Sequence, residues 1–263
     1  MKQNLKTPIS YYGGKQQMLP HILPLIPEHK VYVEPFFGGG AVFWAKDKSQ
    51  TEIINDVNGN ITNFYEVLKH DFFNLRHKIE TTLHSRETYK QAMAIYSLPH
   101  LFERDIRAWA FWVVTNQGFS CKIGSWGYDS QKRAVTIANK VETFKEDLEH
   151  RMRYVQVECN EAHKVISSRD SEDTFVYADP PYIDTNQGHY GGYTHEHFKR
   201  DLDTLANMKG KFLLSTYPSD ILQEYVIKHG WCTKGFDKAI SASSGKGKTR
   251  PRKIEALTAN YMI

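Results

Sequence analysis

Cysteine is scarce: Cys121, Cys159 and Cys232 stand far apart in 263 residues, with no CxxC pair. That excludes a zinc knuckle and a disulfide framework, and it fits a reducing, cytoplasmic setting. Long apolar runs are also missing. No stretch approaches the roughly 18 apolar residues of a membrane span, and Met1 is followed by polar residues rather than an apolar signal region. There is no internal repeat and no GxGxxG fingerprint, so a dinucleotide ligand is poorly supported. Neither sign of charge dominates. The 34 Lys and Arg against 30 Asp and Glu leave a formal net charge of +4 and a pI near 8.7. Such a balance permits a nucleic-acid partner without demanding one.

What is present is a foldable chain. Hydrophobic residues make up 40% and aromatics 13%, enough for a real core. The length suits one large domain, or one domain with an insertion. The stretch that organises the rest is Phe175-Val176-Tyr177-Ala178-Asp179-Pro180-Pro181-Tyr182. Its first half is apolar and β-prone. Proline cannot donate to a sheet ladder and disfavours helix in the residue before it. The strand must therefore stop at Asp179, and Asp179 to Tyr182 must project as a stiff loop. In an α/β sheet that loop lies at the carboxyl end of a strand, where such folds bind ligands. The Asp179 carboxylate and the Pro180 carbonyl are two acceptors held close together, and Tyr182 offers a flat face beside them. Two converging acceptors suit a planar amino group, and a ring suits a stacked base. The competing reading is an ordinary strand-to-turn exit.

Two glycine-bearing segments precede it. Ile9 to Lys15 reads Ile-Ser-Tyr-Tyr-Gly-Gly-Lys, before a short helix expected over Gln16 to Leu25. It is either a surface loop or a close-approach bend with Lys15 near a helix start. Val31 to Gly40 reads as a strand running into a glycine turn, and Ala41 to Ala45 as an apolar helix start. The next strand, Glu52 to Asp56, ends in an acid, and Asp56 lies about twenty residues past the glycines, a spacing at which an acid meets ribose hydroxyls. Asp56 is either that acid or the N-cap of a helix from Asn58.

Residues 58–153 change character. Phe64, Leu68, Phe72, Leu75, Ile79 and Leu83 recur at helical spacing, as do Leu101, Ile106, Trp109, Phe111, Trp112 and Val113. Their stripes predict helices with an apolar core. Thr115 to Tyr128 breaks the pattern with glycine, amides, Lys122 and aromatics, a mixture that meets phosphates or wedges between bases, or makes a plain surface turn. Strands are expected at Tyr154 to Glu161, Lys211 to Ser215 and Ile254 to Tyr261, with helices at Ala162 to Ser168 and Phe198 to Asn207. The glycines between Ile183 and Tyr193 predict a lid. His195 and His197 form an HxH with no further ligand at suitable spacing, so no metal is expected. Ser241 to Lys253 is a basic arm carrying Lys246, Lys248, Arg250, Arg252 and Lys253, suited to phosphate contact.

Read together, Tyr11-x-Gly-Gly-Lys15, Glu34-Pro-Phe-x-Gly-Gly-Gly40, Asp56 and Asp179-Pro-Pro-Tyr182 resemble, in that order, the Dam-type (D12 class) DNA adenine-N6 methyltransferases. The resemblance covers nearly the whole chain. It implies an α/β, Rossmann-like S-adenosylmethionine-dependent methyltransferase sheet, with 1–57 and 154–263 as the catalytic part and 58–153 as a helical insertion for target recognition. It implies S-adenosylmethionine as donor, S-adenosylhomocysteine as product and no metal. Around the donor it puts Tyr11, Lys15, Phe36, Gly38, Gly40, Asp56, Glu161 and Asp179, with Glu161 where the family often has an aspartate. Asp179, Pro180, Pro181 and Tyr182 would carry catalysis on an adenine swung out of duplex DNA. Asn116, Phe119, Ser120 and Lys122 would meet that DNA, Ser120 standing for the usual asparagine, together with Lys246, Arg250 and Arg252 of the arm. Such enzymes belong to bacteria or phages, some paired with a cognate restriction endonuclease. The motifs leave two other readings open: methyl transfer to RNA or to a glutamine amide, and a DNA-binding relative that has lost catalysis. They do not fix a recognition sequence such as GATC.

Overall fold

The structure is a computed structural model that describes residues 5–119, 122–128, 133–183, 192–239 and 252–263. The stretch read as a lid (184–191), Ser120, and the arm from 240 to 251 with Lys246 and Arg250 lie outside the described residues. The seven described strands are β1 (Val31–Glu34), β2 (Thr51–Asn55), β3 (Gln156–Glu158), β4 (Thr174–Ala178), β5 (Lys211–Thr216), β6 (Cys232–Ala239) and β7 (Arg252–Ala259). The chain divides into two compact units. A sheet unit takes 20–36, 49–55 and 160–263, and a helical unit takes 1–19, 37–48 and 56–159. The helical unit is thus wider than the expected insertion, since it also takes the first motif and the glycine turn.

The sheet unit holds six of the described strands, in the order β2-β1-β4-β5-β7-β6. The first four run parallel, and β7 is antiparallel to both of its neighbours. Parallel strands are covered on both faces and so read as unbroken apolar runs. All five residues of β4 are buried accordingly. The core joins Val33, Val176, Phe212 and Leu214 of the strands to Val165, Ile166, Phe198, Leu202, Leu205 and Leu222 of helices Ala162–Arg169, His195–Ala206 and Asp220–His229. Because β1 has β2 on one side and β4 on the other, the chain order reverses there. That makes the carboxyl ends of β1 and β4 the switch point of a Rossmann-like sheet.

Helix Asp220–His229 and strand β6 have no counterpart in the sequence reading. The helix is capped by the Ser219 side chain, which accepts from the Leu222 amide, and it closes on Gly230 at φ +65°. The helix expected over Gln16 to Leu25 shrinks to Leu19–Ile22 and a 3-10 turn at Leu23–Leu25. The strand expected over Tyr154 to Glu161 shrinks to β3.

The helical unit is built as its periodicity predicts. Helices Gly59–His70, Phe72–Glu80, Arg86–Ser97 and Arg104–Asn116 bury Phe64, Leu68, Phe72, Leu75, Ile79, Phe111 and Trp112. Helices Arg133–Glu142 and Glu146–Met152 follow. Four residues of the expected stripes fall outside the core, Ile106 and Trp109 being half-buried. Leu83 lies beyond the end of its helix at Glu80, Leu101 sits in a short 3-10 turn, and both are exposed.

Candidate active site

In the sheet unit the site begins where β4 stops. Asp179 is half-buried and follows the fully buried Ala178; Pro180 is buried behind it. The neighbouring strand ends are tied together by Asn55. Its amide donates to the carbonyls of Pro35 (2.8 Å) and Asn160 (2.9 Å), and its Oδ1 accepts from the Asn160 amide. Phe36 leaves β1 and meets Tyr193 edge-on, with ring centres 6.1 Å apart. The Tyr193 hydroxyl donates to Asp201 at 2.6 Å, and burial pushes that carboxyl up to about 6. Glu161 precedes helix Ala162–Arg169 and lies near two cations, Lys164 (3.6 Å) and Arg200 (3.4 Å), and near His163 (3.3 Å), whose imidazole is pushed towards the neutral form by burial and then by the Arg200 charge. His197 of the HxH is used locally, in a capping box with Thr194.

Tyr182 is the best-anchored member of this loop. Its hydroxyl donates to Glu255 Oε1 at 2.8 Å, and the Ser215 hydroxyl donates to the same oxygen at 2.8 Å. Burial, then the nearby charges of Asp179 and Glu255, hold its phenol well above the ordinary range, so it stays protonated and a donor. Its ring lies 4.3 Å from that of Tyr217, tilted by 59°, and the Lys253 ammonium sits 4.7 Å from the Tyr217 ring centre. Tyr182, Tyr217, Lys253, Thr216, Pro218 and Ile254 line a cleft of about 370 Å³. Ser215, Tyr217 and Glu255 were not expected in a site, and Lys253 was expected only as part of the basic arm. Only strand pairing brings them here, and no local motif marks that.

In the helical unit Asp56 is buried and its two oxygens accept from backbone amides: Oδ2 from Gly38 and Oδ1 from Asn58, each at 2.9 Å. Desolvation raises its carboxyl to about 6 against those two lowering bonds. The glycine turn is tight for a packing reason. Gly40 lies at φ +63°, and a Cβ there would meet the Phe37 ring at 2.4 Å. Tyr11 lies against the same turn, its Cβ 3.1 Å from where a Cβ on Gly39 would stand. Lys15 is buried and donates to the Gly13 carbonyl. This unit therefore brings Tyr11, Gly38, Gly40 and Asp56 together.

One expected DNA contact is corrected. Asn116 is buried, its Oδ1 accepts from the Ser10 amide at 3.0 Å, and its Nδ2 donates to the Pro8 and Trp112 carbonyls. It anchors the segment leading to Tyr11 and is spent internally. The residues after it form a hairpin-like turn with a bridge between Gly118 and Trp126. Gly124 donates to the Tyr89 hydroxyl, and His84 Nε2 lies 3.2 Å from the Gly127 carbonyl oxygen. Phe119 and Tyr128 are exposed on it, Lys122 lies over the Tyr12 ring, and the Arg86 guanidinium stacks 4.9 Å from the Trp126 ring centre. Arg252 belongs to β7, paired with Ala239, rather than to an arm.

Comparison with known proteins bears on this geometry. The model of the D12 class N6 adenine-specific DNA methyltransferase family matches residues 11–238. A type II methyltransferase of Lactococcus lactis subsp. cremoris is 28% identical over 293 residues, covering 99% of this chain and 97% of the relative. A DNA N-6-adenine-methyltransferase of Escherichia phage P1 is 29% identical over 257 residues, covering 90% of this chain but 33% of the relative. A DNA adenine methylase of Salmonella typhi is 27% identical over 285 residues, covering 99% of this chain and 96% of the relative.

Proposed function

Because the chain belongs to the D12 class of N6 adenine-specific DNA methyltransferases, we propose that it transfers a methyl group from S-adenosylmethionine to N6 of an adenine swung out of duplex DNA. The observation that carries this reading is the loop at the switch point. β4 ends in a carboxylate, two prolines and a tyrosine whose hydroxyl is tethered and whose ring lines a cleft. Extruding the adenine costs a few kcal/mol of stacking and pairing. Stacking on Tyr182 offsets part of that. The Asp179 carboxylate and the Pro180 carbonyl accept the two N6 hydrogens and face the positive charge that grows on the nitrogen. Preorganised acceptors of this kind are worth most in a site that excludes water.

When bound, S-adenosylmethionine supplies an electrophilic methyl carried on a sulfonium. The residues fit such a group. Each oxygen of Asp56 takes one amide hydrogen and keeps a second acceptor site, as a pair of ribose hydroxyls requires. Its carboxyl, raised to about 6, is still ionised at neutral pH. The assignment gives Tyr11, Lys15, Gly38, Gly40 and Asp56 of the helical unit, and Phe36, Glu161 and Asp179 of the sheet unit, to donor binding. Phe119 and Lys122 of the hairpin, together with Ser120, Lys246, Arg250 and Arg252, are assigned to DNA.

Incubation of plasmid DNA with methyl-tritiated S-adenosylmethionine, followed by mapping of modified bases, tests the proposal. N6-methyladenine at a fixed sequence supports it. Label on RNA or on protein glutamine, or no label at all, overturns it.

A further inference from the structure

We propose that Glu255 is a positioning residue for the reaction, setting the plane of the Tyr182 ring against which the extruded base stacks. This rests on the function proposed above. Glu255 lies on β7, 73 residues from Tyr182 in sequence, and is 1% exposed. A carboxylate buried on a sheet strand carries a large desolvation cost, and an apolar side chain of similar size would serve a core as well or better. Its presence is explained by what it holds. One oxygen, Oε1, receives both the Tyr182 hydroxyl and the Ser215 hydroxyl at 2.8 Å, and Ser215 is fully buried on β5.

The tether acts at the far end of the ring. Tyr182 follows two prolines, so its main chain is stiff, but its side chain keeps two rotatable bonds. Fixing the hydroxyl removes that freedom. Tyr217 closes one side of the ring at 4.3 Å. The ring is therefore held at its root, at its tip and along one side before any base arrives. With the phenol kept protonated, it remains the donor in its bond to Glu255.

A double-mutant cycle tests this with Glu255→Ala, Tyr182→Phe and the pair together, and Glu255→Gln as the conservative variant. Turnover is measured at saturating donor on plasmid, and base extrusion by 2-aminopurine fluorescence at the mapped target position. Glu255→Ala is expected to lower kcat about 30-fold, since small misplacements of a reacting group cost up to about 100-fold, with KM for the donor changed less than about twofold. Glu255→Gln keeps an acceptor oxygen and is expected to stay within about threefold of the unaltered chain. The double variant is expected to be no slower than the slower single, as coupling through one bond requires. Effects that multiply, or extrusion unchanged in Glu255→Ala, overturn the role. Should Glu255→Ala fail to fold, Glu255→Leu, of similar size and with no acceptor, takes its place in the cycle with Tyr182→Phe, and multiplying effects there overturn the role equally. No transfer by the unaltered chain would instead overturn the proposed function.

Discussion

The glycine turn and the loop after β4 are each steadied by a buried carboxylate, but the two carboxylates grip different things. Asp56 holds two backbone amides, Gly38 and Asn58. Glu255 holds two side-chain hydroxyls, Tyr182 and Ser215. An amide has no freedom apart from the main chain, so Asp56 freezes a backbone shape. A phenol stands at the end of a rotatable arm, so Glu255 freezes a ring. The contrast matches what each region has to offer: the turn presents main chain and the loop presents an aromatic face. A carboxylate is suited to both tasks because it accepts several hydrogens without donating any.

The sharpest way to break this comparison is to remove the loop's own acceptor. Asp179→Ala is expected to reduce methyl transfer by at least about 1,000-fold, beyond what one missing transition-state donor usually costs, while circular dichroism shows an unchanged fold. Residual activity near that of the unaltered chain would move the chemistry elsewhere. Next in size is Asp56→Asn, which keeps the shape but turns one acceptor into a donor facing an amide. Donor affinity by equilibrium dialysis is expected to fall about 10- to 100-fold, or roughly 1.4 to 2.8 kcal/mol, with DNA affinity unchanged.

The same variant sharpens the comparison through pH. The Asp56 carboxyl is raised from 3.8 to about 6 in the folded chain, so the native state binds its proton more tightly than the unfolded state. The stability this contributes is complete below about 3.8 and is lost as pH rises through about 6. Urea unfolding should therefore show the deficit of Asp56→Asn shrinking between pH 4 and pH 7, by on the order of 2 kcal/mol. Asp201, raised to about 6 by its own burial, keeps the same trend in both proteins. A deficit independent of pH would contradict the desolvated state of Asp56. The smallest expected effect lies in the hairpin. Lys122→Ala should weaken duplex binding a few-fold and reduce the slope of log affinity against log salt by about 0.9. An unchanged slope would remove Lys122 from the DNA interface.

Sequence was most informative where backbone chemistry is local. The apolar run stopped by Asp179 and Pro180 located the end of β4, and Asp56, expected as the last residue of a strand, lies one residue past β2. Strand β6 escaped because an edge strand reading Cys-Thr-Lys-Gly-Phe-Asp-Lys-Ala has no apolar alternation, and Thr233, Lys234, Gly235 and Asp237 are exposed. Helix Asp220–His229 escaped because it buries only Leu222 and Tyr225. Ser215, Tyr217 and Glu255 were illegible for another reason: the register that pairs Ser215 with Leu257 joins segments about forty residues apart. Asn116 shows the reverse error. An amide in a polar stretch reads as a surface contact, yet it closes a helix end onto the Ser10 amide.

Strand β7 sits inside the sheet, between β5 and β6, although it follows both in the chain. During synthesis the ribosome therefore releases the glycine turn and the proline loop long before the strand that bridges β5 to β6. Residues 252–259 arrive as a keystone, carrying Glu255 with them. A nascent chain, or one cut short of residue 252, would carry every recognisable motif and still hold its stacking tyrosine by one end only.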